Sequence, residues 1–170
     1  MTPEFSHILH AHEIGVAARA ATLSAAPHEC AALAKRFDLI ELTRLDAALS
    51  ARAVASGVHV TGRFRATGAQ PCGLSGAPVA FDLDELVDLR FTAVVAVAAD
   101  EVELTDTDLD TLPMDGDSID LGEAVAQSLG LALDPYPRAE GAALPSAVVP
   151  EDQVVLLKRP NPFGVLKGSV

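Results

Sequence analysis

The stretch Val58-His59-Val60-Thr61-Gly62-Arg63-Phe64-Arg65-Ala66 decides the fold. Val58, Val60, Gly62, Phe64 and Ala66 fall on one side of an extended chain, and His59, Thr61, Arg63 and Arg65 on the other. A period of two residues with one apolar side is that of a half-buried antiparallel strand. Gly57 marks a turn just before it. Upstream, residues 47–56 are Ala-rich and helix-prone by propensity. Yet Leu49, Ala51, Ala53 and Ala55 alternate with Ser50, Arg52 and Val54, so we read a strand. Ile40 to Leu45 alternates as well. Downstream, Gly68 to Pro78 reads as a turn-rich connection. Two further runs follow, Val79 to Val87 and Leu89 to Ala98, the second nearly continuous in apolar residues and expected to be central. Toward the start of the chain, residues 5–14 and 16–23 have extended character. Several short strands with tight turns imply a meander or a partial barrel.

Two segments carry a helical period instead. Pro27 suits the first turn of a helix, where its missing N–H costs nothing. Cys30, Leu33, Ala34 and Phe37 then fall at i, i+3, i+4 and i+7, one apolar stripe, with Lys35 and Arg36 near the C-terminal end and Asp38 at the stop. The second helix opens at Asp120, a capping residue, and Glu123 stands at the spacing of a capping box. Leu121, Ala124, Val125 and Leu129 share a face, and Asp134-Pro135-Tyr136-Pro137 ends it. The expected architecture is α+β: a curved antiparallel sheet or partial barrel of about six or seven strands, with helices near 27–38 and 120–132. Residues 1–137 form one domain and 138–170 a loosely ordered tail rich in Ala, Pro and Gly.

The chain has 170 residues, the size of one domain with a core of its own. Trp is absent and aromatics are only 4%, so that core is built from Ala, Val and Leu. The net charge of −12 argues against holding nucleic acid on a broad basic face. The charge is local. Residues 82–123 carry 14 acids and one base, Arg90, for a net of −13, while residues 1–81 are at +1 and 124–170 at zero. An acidic block of this kind solvates itself or faces something basic. There is no leader-like segment and no apolar run of membrane-spanning length, and a cytoplasmic setting is expected.

Few residues suggest chemistry. His7, His10 and His12 have metal-like spacing but lack further ligands, so they read as strand-face histidines. Asp106, Asp108 and Asp110 imitate the start of a calcium loop. Its sixth position is Thr111 where Gly is needed, its twelfth is Asp117 instead of Glu, and Pro113 interrupts it, so a solvated acidic loop is expected. Cys30 sits on a core stripe, and Cys72 lies in a loop where it could be exposed. No nucleophile elbow and no P-loop is present. We therefore expect no catalytic residues, no metal and no cofactor. Cys72-Gly73-Leu74-Ser75 has the spacing of a Cys-x-x-Cys whose second thiolate is replaced by a hydroxyl, a poor zinc ligand.

Three blocks together resemble the YceD-like family of large ribosomal RNA subunit accumulation proteins, with the flavour of alphaproteobacterial members. They are Pro27 to Phe37; Asp117-Ser118-Ile119-Asp120-Leu121-Gly122-Glu123-Ala124-Val125 with Leu131 to Pro137; and Asn161-Pro162-Phe163-Gly164-Val165-Leu166-Lys167. The resemblance spans nearly the whole chain. It implies a bacterial, non-catalytic factor supporting large-subunit biogenesis. Many members carry a Cys-x-x-Cys where this chain has Cys72 to Ser75, and further cysteines after the second helix. Here residues 134–150 contain none.

Two modes of binding follow. In the first, the block at 82–123 meets a basic ribosomal protein or a pre-ribosomal particle, since opposite patches raise on-rate and specificity. Asp120 and Glu123 in the second block belong to this mode. So do Asn161, Pro162, Phe163 and Lys167, as a docking segment ordered on binding. In the second, Arg63 and Arg65, with Arg44 and Arg52 on neighbouring strands, contact RNA directly, without the exposed aromatics that stack bases. A monomer away from membranes suits both.

Overall fold

A computed structural model describes residues 3–93 and 111–142. The alternating stretch lies at the middle of the sheet. Seven strands and two helices are present among these residues: β1 (Ile8–His10), β2 (Arg19–Ser24), α1 (Pro27–Arg36), β3 (Glu41–Val54), β4 (Gly57–Pro71), β5 (Pro78–Thr92), β6 (Thr111–Pro113), β7 (Ser118–Asp120) and α2 (Leu121–Ala132). Five strands form one sheet in the order β2-β3-β4-β5-β6, and β1 pairs with β7 in a separate ribbon. The fold is α+β, as expected. The large sheet stays open, because β2 and β6 at its two ends do not pair.

One face of the sheet holds the core. Val58, Val60, Phe64 and Ala66 of β4 are buried on it, with Leu45, Ala47, Leu49 and Ala51 of β3 and Val87 and Phe91 of β5. α1 packs there on β3 with Cys30, Leu33 and Ala34, and α2 on β5 and β1 with Leu121, Ala124, Val125, Ala126 and Leu129. Phe64 is 1% exposed, so truncating it to Ala would cost about 3–5 kcal/mol. Gly57 opens β4 at φ 140°, in space where a Cβ would lie 1.9 Å from the carbonyl oxygen of Phe91.

Several boundaries differ from the sequence expectation. The extended start shrinks to β1 followed by a 3₁₀ turn at Ala11–Glu13, because its partner β7 is only three residues long. The runs around 40–45 and 47–56 are one strand. Asp46 continues it on the outer face, where Ser24 Oγ donates to its carboxylate at 2.6 Å. β4 runs on to Pro71, with Gly68 opposite Phe81, so the connection is confined to residues 72–77. β5 passes straight through Asp88. It lies next to the sheet's end, between β4 and the short β6, and is not central. β6 pairs parallel to β5 through Arg90↔Thr111 and Thr92↔Pro113, so the sheet is mixed and Pro113 lies within a strand. The remainder of the apolar run at 94–98, the calcium-like Asp106, Asp108 and Asp110, and the tail from 143 lie outside the described residues.

Both helices stand as expected, with one change in capping. At α1, Ala26 offers no side-chain cap, but its N–H donates to Glu29 Oε2 at 2.7 Å. Asp38 (φ 52°) then turns the chain so that the Leu39 N–H returns to the Ala34 carbonyl at 2.8 Å. At α2, Asp120 caps as expected, but Glu123 turns away from the cap to Arg36.

Candidate functional site

Three clusters of polar side chains deserve comparison. The first ties the helices together. Asp120 Oδ1 accepts the N–H groups of Gly122 (2.9 Å), Glu123 (3.1 Å) and His7 (2.8 Å), while Oδ2 accepts from Ser6 Oγ (2.6 Å). The carboxylate therefore caps α2 and clamps the segment before β1. Glu123 receives Arg36 in a fork at 2.8 and 2.7 Å, and Arg36 also reaches Glu4 at 3.0 Å. The guanidinium of Arg36 holds the Glu123 carboxyl below its usual range, against the upward push of burial. As binding candidates, Asp120 and Glu123 are thus engaged within the chain.

The second cluster is the outer face of the sheet. Arg63 and Arg65 converge on Asp84, at 2.8 and 3.1 Å, and Arg44 binds Asp46. Burial raises the Asp84 carboxyl, yet the guanidiniums of Arg63 and Arg65 bring it to a net position below its usual range. Arg44, Arg63 and Arg65 rim a depression of about 260 Å³ with Thr22 and Ala48. Register brings the expected strands together: Arg52 sits opposite His59, which also contacts Asp88 at 2.6 Å. Three arginines against Asp46 and Asp84 leave a net of only one positive charge at the depression. Phe64 and Phe91 are buried on the opposite face, so neither is available to stack a base.

The third cluster is acidic. Asp82, Asp84, Glu85 and Asp88 lie along β5 with Arg90 as the one base on that strand. Asp115 and Asp117 follow in the turn into β7, where Asp117 faces His12 at 3.1 Å. The other acids of the block, within residues 94–110, lie outside the described residues, as do Asn161, Pro162, Phe163 and Lys167.

Cys72 departs from expectation. It is buried, not exposed, at 3%. Its turn closes through Gly76 N–H to its carbonyl (2.8 Å) and its own N–H to Ala77 (2.8 Å). The sulfur accepts the Ala139 N–H at 3.3 Å. That donor, then the Ser75 hydroxyl and the N–H groups of Leu74 and Ser75, bring the thiol down to about 6. The donor set does not fit zinc. One thiolate faces a hydroxyl and backbone N–H groups, and the segment after α2 supplies a donor where a ligand would be needed. Spacing singled out Cys72, but the Ala139 contact, 67 residues away, leaves no sequence signal. His10 and His12 stack on each other at 5.4 Å.

No described helix is long and apolar enough to cross a membrane. A family model described as Large ribosomal RNA subunit accumulation protein YceD matches residues 60–168. The matched span takes in most of β4, all of β5 and α2, and the tail, whereas the first resembling block, Pro27 to Phe37, lies before it. No curated protein and no solved structure matches the chain.

Proposed function

The chain belongs to the YceD family of large ribosomal RNA subunit accumulation proteins, and from that premise we propose that it is a non-catalytic factor that binds a basic ribosomal protein or assembly intermediate. The family carries the role in large ribosomal RNA accumulation. The observation that supports a basic protein as partner is the alignment of Asp82, Asp84 and Asp88 on the outer face of β5, with Glu85 on its other face, inside the matched span. Fixed on a strand, these acids present a set spacing to a partner's Lys and Arg, which favours rate and selectivity of encounter. A crosslinking pull-down from lysate at low and moderate salt, with protein and RNA read out separately, tests this. Basic large-subunit proteins are expected at low salt and in smaller yield at moderate salt. Their absence overturns the proposal.

A second reading is direct RNA contact. It is supported by Arg63 and Arg65, 49% and 60% exposed on the outer face beside Arg44. Against it stand their shared partner Asp84 and the burial of nearby aromatics. Replacing Arg63 and Arg65 with Glu would abolish ribosomal RNA association if these residues carry it; unchanged association removes this reading.

A further inference from the structure

Among the described residues, β5 holds its acids on an edge that is mostly uncovered. On one side β4 pairs with it from Pro78 to Phe91. On the other side, among the described residues, β6 meets only Arg90 to Thr92. Among the described residues the backbone from Val79 to Leu89 therefore has no partner on that side, and an unpaired edge is a template for another strand.

The two faces of that edge differ chemically. Leu83, Glu85, Val87 and Leu89 are in register with Ala66, Phe64, Gly62 and Val60, so they lie on the helix side. Asp82, Asp84, Leu86 and Asp88 are in register with Thr67, Arg65, Arg63 and Thr61 on the outer side. On the helix side an open groove of about 460 Å³ separates Phe64, Val87 and Leu89 from Leu131 and Ala132 of α2. Leu131 of α2 is 89% exposed at its wall, and Leu86 of β5 is 73% exposed. Asp82 and Glu85 have no ion pair among the described residues.

We propose that the β5 edge takes an extended basic segment of a partner protein as an added strand. That segment alternates Lys or Arg, toward Asp82, Asp84 and Asp88, with apolar residues that enter the groove beside Leu131. Cross-strand neighbours would then be opposite in charge at Asp82, Asp84 and Asp88 and matched in apolar character at Leu83, Val87 and Leu89, the pairing that stabilises adjacent strands, while Leu86 and Glu85 are the positions without such a match. This rests on the basic-partner reading and adds the surface and the sequence pattern that it recognises.

The test uses the full chain and two synthetic peptides of identical composition: about ten residues of valine and lysine, alternating in one and in two blocks in the other. By fluorescence anisotropy the alternating peptide is expected to bind about tenfold more tightly than the blocked one. Leu131→Asp and Asp82→Lys, both at exposed positions, are expected to weaken it about fivefold each, with unchanged circular dichroism and Tm. In the free chain the β5 amides that face away from β4 should exchange quickly and become protected by the peptide. Equal affinities, indifference to Leu131→Asp, or edge amides already protected in the free chain would each overturn the proposal, the last by showing that the chain covers its own edge. If both variants capture basic ribosomal proteins as well as the unaltered chain does, the edge is wrong while a basic partner stands. If the unaltered chain captures none, the basic partner itself falls.

Discussion

Arg36, in the last turn of α1, grips Glu123, in the first turn of α2, with two guanidinium nitrogens at 2.8 and 2.7 Å. The two residues are 87 positions apart, and the fork fixes the two helices against one another on the sheet. Only 31% and 24% of these side chains are exposed, so water screens the pair less than it screens a surface ion pair.

Arg36→Met or Glu123→Gln is expected to lower stability by about 1–2 kcal/mol in urea unfolding. The effect also has a pH signature. The folded carboxyl of Glu123 lies below its ordinary value of 4.5, so its stabilisation is complete above that value. It is lost as pH falls through the folded value. Glu123→Gln should therefore flatten the fall of Tm below about pH 4.5, and an unchanged slope would show that the pair contributes nothing.

Gly122 should not tolerate a side chain. A Cβ there would sit 2.7 Å from the Phe5 carbonyl oxygen and 2.8 Å from Ser6 Cα, both backbone. Gly122→Ala is expected to destabilise by about 1–3 kcal/mol although Ala favours helices, and Asp120→Ala by about 1–2 kcal/mol through loss of the cap. Thermal unfolding measures both.

Such contacts explain what was legible in the sequence. Elements governed by their own period were readable: the alternation from Val58 to Ala66, the stripe from Cys30 to Phe37, and Asp120 before an apolar helix. Features set by a distant partner were not. Asp46 and Asp88 look like breaks in a strand, but each points outward to a side chain on a neighbouring strand. The slip between Leu42 and Arg44 is a bulge, which disturbs the alternation of β3 locally. Glu123 has capping-box spacing, and only the fold reveals that Arg36 outcompetes the backbone for it. The parallel pairing of β6 spans three residues and leaves no period to find. At the candidate site, composition revealed the acidity of β5, while its edge, unpaired from Val79 to Leu89 among the described residues, required the topology.

The two cysteines should titrate far apart. N–H and O–H donors stabilise the Cys72 thiolate near pH 6, whereas burial pushes Cys30 above its usual 9.0. Thiolate ultraviolet absorbance should show one step near pH 6 that Cys72→Ser removes. The folded value is depressed, so this thiolate's contribution to stability is complete only above its ordinary 9.0 and declines as pH falls through 6. A single step above 9.0 for both thiols would contradict the hydrogen-bonded arrangement at Cys72.

Asp84 separates the two modes of binding. Asp84→Asn removes one acid from β5 and releases Arg63 and Arg65 from their shared carboxylate. If a basic protein is the partner, its capture should fall severalfold with RNA retention unchanged. If the arginine face binds RNA, retention of ribosomal RNA should rise, and more steeply at low salt.

The most direct measurement is the crosslinking pull-down of the full chain at two salt concentrations, with protein and RNA partners identified separately. The expected result is a basic large-subunit ribosomal protein crosslinked to the chain at low salt, persisting after nuclease treatment and reduced at moderate salt. Recovery of ribosomal RNA alone, or of no ribosomal component, would contradict a basic protein as the partner.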